Sequence, residues 1–283
     1  MALILRPGTP ADASACGLID YEAFGTLAEQ HGFAPDFPSA EVATGLIAMM
    51  LSHPEFYGVV AELDGRVVGS NFLDERSAIA GIGPISVSPR DQNGTIGRQL
   101  MQAVLDRAAE KRFPGVRLVQ AAYHNRSLCL YTKLGFQSRE PLSVMQGKPL
   151  GHPLPGVRKA TATDAAACNR LCHRVHGHAR AGELAGAIQQ GTARVIERGG
   201  SITGYTTQVA FLGHAVAETT DDLKALIMAS PDFEGPGFLV PTRNYELFRW
   251  CLDQKLHLVM QMTLMTVGLY NEPAGAYLPS VLY

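Results

Sequence analysis

Between Val87 and Leu100 the chain reads VSPRDQNGTIGRQL. An apolar run ends at Val87, Gly94 and Gly97 punctuate a short polar turn, and a helical pattern follows. A strand, a glycine turn and a helix N-terminus together can hold an anion. The first amides of a helix lack partners within it, and the helix dipole favours negative charge there. Glycine lets the backbone come close to a phosphate, and Arg90 and Arg98 can add charge. The same residues also suit an ordinary strand–helix connection, so this loop alone does not name a ligand. A second segment, HNRSLCLYTKLGF, runs from His124 to Phe136. It places Tyr131 on an amphipathic helix, where a phenol serves either as a proton donor or as a core aromatic.

The elements that must position these residues can be read from periodicity. A strand is expected near Ile4, then helices to about Ser52. Hairpin strands follow around Val60 and Val68, joined by Asp64-Gly65, and a further strand ends at Val87. From Ile96 to Lys111, Leu100, Met101, Val104, Leu105 and Ala108 recur at helical spacing and should pack on the sheet. A strand from Val116 to Ala122, a helix from Ser127 to Leu134 and a last strand complete a mixed α/β order around one sheet.

Taken together, the two segments resemble the GNAT superfamily of N-acetyltransferases. That family has a strand ending V-x-P, a loop Q-x-x-G-x-G/A at a helix start, and later an Asn-containing turn followed by Y-x-K-L-G-F. The matching residues are Val87, Pro89, Gln92, Gly97 and Leu100, then Asn125, Tyr131, Lys133, Leu134, Gly135 and Phe136. The resemblance covers most of residues 3–146. Two departures stand out. Thr95 replaces the middle glycine, with Gly94 one place earlier, and His124 takes the usual Asn place one residue before Asn125.

The resemblance implies acetyl-CoA as cosubstrate and direct attack by an amine in a ternary complex. Ile85, Ser86 and Val87 would offer a strand edge to pantetheine. Gln92, Asn93, Gly94, Thr95, Ile96, Gly97 and Arg98 would hold the pyrophosphate, with Asn125 nearby. Tyr131 would protonate the leaving thiolate. Asp74, Glu75, Glu22 and His124 are the candidate general bases, each equally readable as a solvated charge. The acceptor pocket is expected within Glu22 to Phe56 and from the second half of the chain, for an amine of a small molecule or a peptide. A non-catalytic acyl-CoA sensor is the alternative.

An internal repeat divides the chain. RPGTPADASAC at Arg6 matches RKATATDAAAC at Arg158, an offset of 152 that Gly25 and Gly177 keep. VAELDGRVVGS at Val60 matches VIERGGSITGY at Val195. Two tandem GNAT-like domains are expected, 1–148 and 149–283, joined through the Pro- and Gly-rich Met145–Gly156. In the second, GHAVAETTDDLKALIMAS lacks the glycine turn. Thr219, Thr220, Asp221 and Asp222 cap its helix and put carboxylates where a pyrophosphate would sit. In RNYELFRWCLDQKLHL, Leu256 and His257 read as replacing Gly-Phe. This half reads as a degenerate copy.

Apolar residues make up 46% of the 283 and the net charge is -2, so a packed core is expected. No basic run points to nucleic acid, and no stretch reads as a membrane span. Five cysteines and no signal segment suggest a reducing, cytoplasmic setting. Cys168, Cys172 and His176 share a helix face, but Cys168 matches Cys16 in the repeat and reads as core, so no metal is expected. The tandem arrangement fits a monomer as well as a homodimer.

Overall fold

The computed structural model describes residues 3–151 and 154–283. His152 and Pro153, inside the expected linker, lie outside the described residues, as do Met1 and Ala2 of the first expected domain. The first half runs β1 (Leu3–Pro7), α1 (Ala13–Gln30), α2 (Ala40–Ser52), β2 (Phe56–Leu63), β3 (Arg66–Asp74), β4 (Ala80–Ile82), β5 (Ser86–Val87), α3 (Ile96–Glu110), β6 (Gly115–Ala121), α4 (Asn125–Lys133) and β7 (Gln137–Gln146). The second runs β8 (Val157–Lys159), α5 (Ala165–His176), α6 (Ala181–Gln190), β9 (Arg194–Arg198), β10 (Ser201–Thr206), β11 (Ala215–Ala217), α7 (Thr220–Met228), β12 (Phe238–Pro241), α8 (Tyr245–Asp253), β13 (His257–Gly268) and β14 (Ala276–Leu278).

The repeated Arg-Thr-Asp motif fixes the same corner twice. Arg6 donates two hydrogen bonds to Asp12, at 2.8 and 2.9 Å, and one to Glu62 at 2.6 Å. Arg158 bonds Asp164 at 2.7 and 2.8 Å, and Glu197 at 2.9 Å. Thr9 and Thr161 open the turns that lead into α1 and α5, each with a capping box closed by its Asp. The motif thus ties the first strand of each half to its second strand and first helix.

The strands do not sort by halves. One sheet has the order β1-β2-β3-β4-β6-β13-β7-β12, with β5 pairing β3; the other is β14-β11-β10-β9-β8. The second half's β13 is inserted between β6 and β7, with Thr266 opposite Arg117 and Met262 opposite Leu142. In return β7 lies between β13 and β12. Met260, Met262, Leu264 and Met265 of β13 are buried, and Met265 packs with Leu118, Val116 and Phe136 of the first half. Buried polar contacts cross between the halves as well. Tyr277 donates to Glu140 at 3.0 Å, and the Arg117 guanidinium lies 3.7 Å over the Tyr283 ring.

Candidate functional site

β4 runs parallel to β6 only as far as Ile82 opposite Leu118. The chain then leaves β6, and Ser86 and Val87 pair with Ser70 and Gly69 on the other side. The edge that faces β6 is left without a strand, and a cleft of about 1340 Å³ opens there. Ordinary single-ligand pockets span roughly 300–1,000 Å³, so this one has room for two molecules.

Ile85, Ser86, Val87, Gln92, Asn93, Gly94, Ile96, Gly97, Arg98, Asn125 and Tyr131 all line the cleft; of the residues expected to hold the cofactor or donate the proton, Thr95 alone is not in the wall. Its hydroxyl accepts from Gln99 Nε2 at 2.9 Å. Gln92 folds the loop back, donating to the Val87 carbonyl at 3.0 Å. Asn93 takes a positive φ of 71°, which turns the loop into α3. The N-terminus of α3 has no side-chain cap, so its first amides stay available to a ligand. A Cβ on Gly94 would meet nothing within 4 Å, and one on Gly97 nothing nearer than 3.9 Å. Internal packing therefore does not require these glycines; a side chain there would fill the cleft instead. Arg98 and Arg126 stand exposed in the wall with no ion-pair partner among the described residues. Arg90 is outside it, and Asp91 is held by Arg66 at 3.0 Å.

Tyr131 is buried on α4, packed edge-on against Phe136 with ring centroids 6.2 Å apart. Burial raises its pKa, with the nearby Ser127 hydroxyl opposing, so the phenol keeps its proton at neutral pH. Among the four expected bases only His124 is in the wall. Its Nδ1 lies 2.7 Å from Ser127 Oγ. Burial lowers its pKa, as do Arg126 and His31, which favours the neutral, proton-accepting ring. Asp74 is held by Arg76 at 2.6 Å and Glu75 by Arg107 at 2.7 Å, both away from the cleft, and Glu22 is exposed elsewhere. Sequence reasoning missed Asp36, a wall residue whose Oδ1 is buried with no hydrogen-bond partner. It also missed Asp20, fully buried on α1. A lone Asp in a loop and one inside a helical pattern carry no spacing signal.

The far wall is built by the second half: Gly182, Glu183 and Gln190 of α6, residues 207–208 and 210–213, residues 234–236, and Val281 and Leu282. α6 docks on the β3–β4 connection, where Ser77 donates to Glu183 at 3.0 Å. The Gly182 Cα faces Arg76 so closely that a Cβ would stand 2.3 Å from its carbonyl oxygen.

Residues 54–138 match the family model described as the acetyltransferase (GNAT) domain. Over that span the chain is similar to GNAT acetyltransferase domains. Its cleft lies between the strand and helices that the matched span supplies. A curated relative, the IAA acetyltransferase of Azospirillum brasilense, is 28% identical over 134 residues, which cover 44% of this chain and 88% of that protein. Two solved structures match nearly end to end. A Pyrococcus horikoshii protein described as an acetyltransferase aligns with TM-score 0.76 at 17% identity, covering 97% of this chain and 94% of its own. A GCN5-related N-acetyltransferase from Sphaerobacter thermophilus aligns with TM-score 0.60 at 18% identity, covering 95% and 96%. At such identities the likeness is one of fold, and it extends through both halves.

The corresponding region of the second half differs from this cleft. Thr219 caps α7, accepting from the Asp222 amide at 3.1 Å, and Asp222 is buried and ion-paired to Arg198. β14 pairs along β11, Ala217 opposite Ala276 and Ala215 opposite Leu278, so the strand edge that is free in the first half is covered. A space of only about 300 Å³ remains, between Glu218, Arg243 and Tyr277. The end of α8 also refines the alignment. Gly135, φ 95°, is matched by Lys255, φ 66°. Phe136 N donates to Tyr131 O, and Leu256 N to Cys251 O, each at 3.0 Å. Lys255 and Leu256, not Leu256 and His257, therefore stand for Gly-Phe, and the buried Cys251 stands where the first half has Tyr131. Among the described residues no group of three His, Cys, Asp or Glu could hold a metal ion. Cys168, Cys172 and His176 are buried in the core against α5's neighbours. No helix among them is long and apolar enough to cross a membrane.

Proposed function

We propose that the chain is an acetyl-CoA-dependent N-acetyltransferase with one active site, in residues 1–148, walled on its acceptor side by residues 149–283. The observation that carries this is the uncapped α3 N-terminus behind two glycines that packing does not need, opening on a cleft that also holds a buried phenol. Ile85, Ser86 and Val87 would present backbone groups to pantetheine. The amides from Gly94 to Arg98, with the Arg98 guanidinium, would hold the pyrophosphate, and Gln92 and Asn93 shape that loop. Asn125 completes the wall. When bound, acetyl-CoA supplies a thioester for direct attack by an amine. Tyr131, protonated at neutral pH, is the group to donate a proton to the sulfur as the C–S bond breaks.

Calorimetric titration of acetyl-CoA, wild type beside Gly97→Glu, tests this reading. One equivalent should bind to the wild type, and the variant should bind at least ~100-fold more weakly, a carboxylate now standing among the anion-binding amides. Two equivalents would restore a site to the second half. No binding would sink the acetyltransferase reading, and binding without acetyl transfer to any amine would favour the acyl-CoA sensor.

A further inference from the structure

The connection between α1 and α2 lines the cleft through Asp36, Phe37 and Pro38. Phe33 stacks on Tyr123 with centroids 4.4 Å apart, His31 lies against the same ring at 4.9 Å, and Phe37 meets Phe24 edge-on at 5.9 Å. These contacts pin the connection to the end of β6 and hold Asp36 in the wall. Its buried Oδ1 has no partner, and a buried acceptor left unpaired is costly unless something else supplies the donor. The other acidic wall residues are differently placed. Glu183 is bound to Arg180 at 2.6 Å and Asp91 to Arg66 at 3.0 Å, while Glu234 is exposed. The same wall carries apolar side chains, Phe24 from α1, Val42, Leu46 and Met49 from α2, and Leu212 from the second half. Val42, Met49 and Leu212, all in that wall, are 50%, 42% and 42% exposed.

We propose that this is the acceptor subsite: Asp36 receives the ammonium of a small primary amine and takes its proton, and the facing walls of α2 and residues 207–213 hold an apolar body attached to that amine. The proposal rests on the acetyltransferase reading and adds the substrate class and the base. The ammonium gives one proton to Asp36, which releases it to water. The freed nitrogen forms the C–N bond as the C–S bond breaks. The second nitrogen proton balances the one that Tyr131 delivers to the thiolate. Net, an ammonium and a thioester become an amide, a thiol and one proton. Burial lifts Asp36 to about 6, close to where a general base is most effective. The titratable groups about it are Asp20 of α1, Tyr123 beyond β6, and His31 and His124 in the wall. A second ammonium on the substrate would have to be desolvated against Met49 and Leu212, which is unfavourable.

Hexylamine and 1,6-diaminohexane make the test, since they share a chain length and differ in one charge. With saturating acetyl-CoA, kcat/KM should be at least ~10-fold higher for hexylamine. Leu212→Asp should narrow or reverse that ratio. Asp36→Asn should lower kcat/KM by about 100-fold, leave acetyl-CoA affinity unchanged, and remove the rise in rate through pH 6; Asp36→Glu should restore part of that rise. A diamine preferred or equal to hexylamine would overturn the substrate class, and a wild-type pH profile in Asp36→Asn would overturn the base. Acetyl-CoA bound with neither result would leave the acetyltransferase reading standing and this proposal refuted. Failure to bind acetyl-CoA would remove both.

Discussion

The two halves are built on the same corner, the same hairpin and the same helix ends, yet one keeps an open cleft and the other has closed it from within. Arg6–Asp12 and Arg158–Asp164 make the same bonds, down to their capping threonines. The differences fall where a ligand would touch. An uncapped α3 faces a capped α7, a free edge at Ser86–Val87 faces β11 covered by β14, and Tyr131 faces Cys251. Asp20 on α1 corresponds to Cys172 on α5 at the offset of 152, and both are fully buried. The scaffold therefore tolerates either content. On the function proposed above, what distinguishes the half that binds from the half that does not is a few side chains and one short strand, not the fold.

That contrast can be broken most severely at the α3 N-terminus. Gly97→Glu should abolish the single acetyl-CoA site. Giving the second half small residues, with Asp221→Gly and Asp222→Gly together, should create none, because β14 still covers the edge. A second bound equivalent in that double variant would show that the capped helix alone had closed the slot.

Next in size is Asp20→Cys, which makes the first half resemble the second. Burial lifts Asp20 to about 7, with the Ser86 hydroxyl opposing and Asp36 adding to the rise. A carboxyl whose folded pKa is raised binds its proton more readily folded than unfolded. The wild type therefore loses stability as pH rises from about 4 through about 7. The variant should match it near pH 4 and exceed it by ~2–4 kcal/mol at pH 8 in urea unfolding. A constant difference across that range would show that Asp20 ionises freely.

A smaller effect separates the two helix-end counterparts. Tyr131→Phe should cut kcat by roughly 10–100-fold with little change in acetyl-CoA affinity, whereas Cys251→Ala should leave kcat alone. Equal losses in both would make Tyr131 a packing residue. The smallest difference is expected where the halves agree. Asp12→Ala and Asp164→Ala each remove the same set of charge-assisted bonds and should each cost about 2 kcal/mol, within ~0.5 of one another. A wider gap would mean that the corners share geometry but not load.

Much of the first half could be read from local pattern. The α3 stripe of Leu100, Met101 and Val104, the Asp64-Gly65 hairpin and the loop through Gly97 are short-range signals, and each sits where its spacing implies. Thr95 turned aside because its hydroxyl found Gln99 one turn on, a choice that spacing does not dictate. Asp36 and the apolar wall opposite Leu212 depend on which loop lands beside which, information that resides in long-range packing. The same holds for β13. Its alternating Met260, Met262 and Leu264 announce a buried strand, but nothing in that alternation says that the strand is inserted between β6 and β7. In sequence the segment GAYLPSVLY, from Gly275 to Tyr283, shows only that it is apolar, whereas it supplies both β14 and, through Val281 and Leu282, part of the cleft wall.

The reciprocal placing of β7 and β13 also has a consequence on the ribosome. β7 ends at Gln146 and its neighbour β13 begins at His257, so about 110 residues must be made before β6 and β7 acquire the strand that joins them. At roughly 5–20 residues per second that is a wait of about 6–20 s. Through it the edges of β6 and β7, with Leu118, Leu142 and Val144, have no permanent cover. The nascent first half cannot mature as a unit ahead of the second. Its assembly waits on the second half, and the chain is most exposed to wrong pairing, including with a second nascent copy, in that interval.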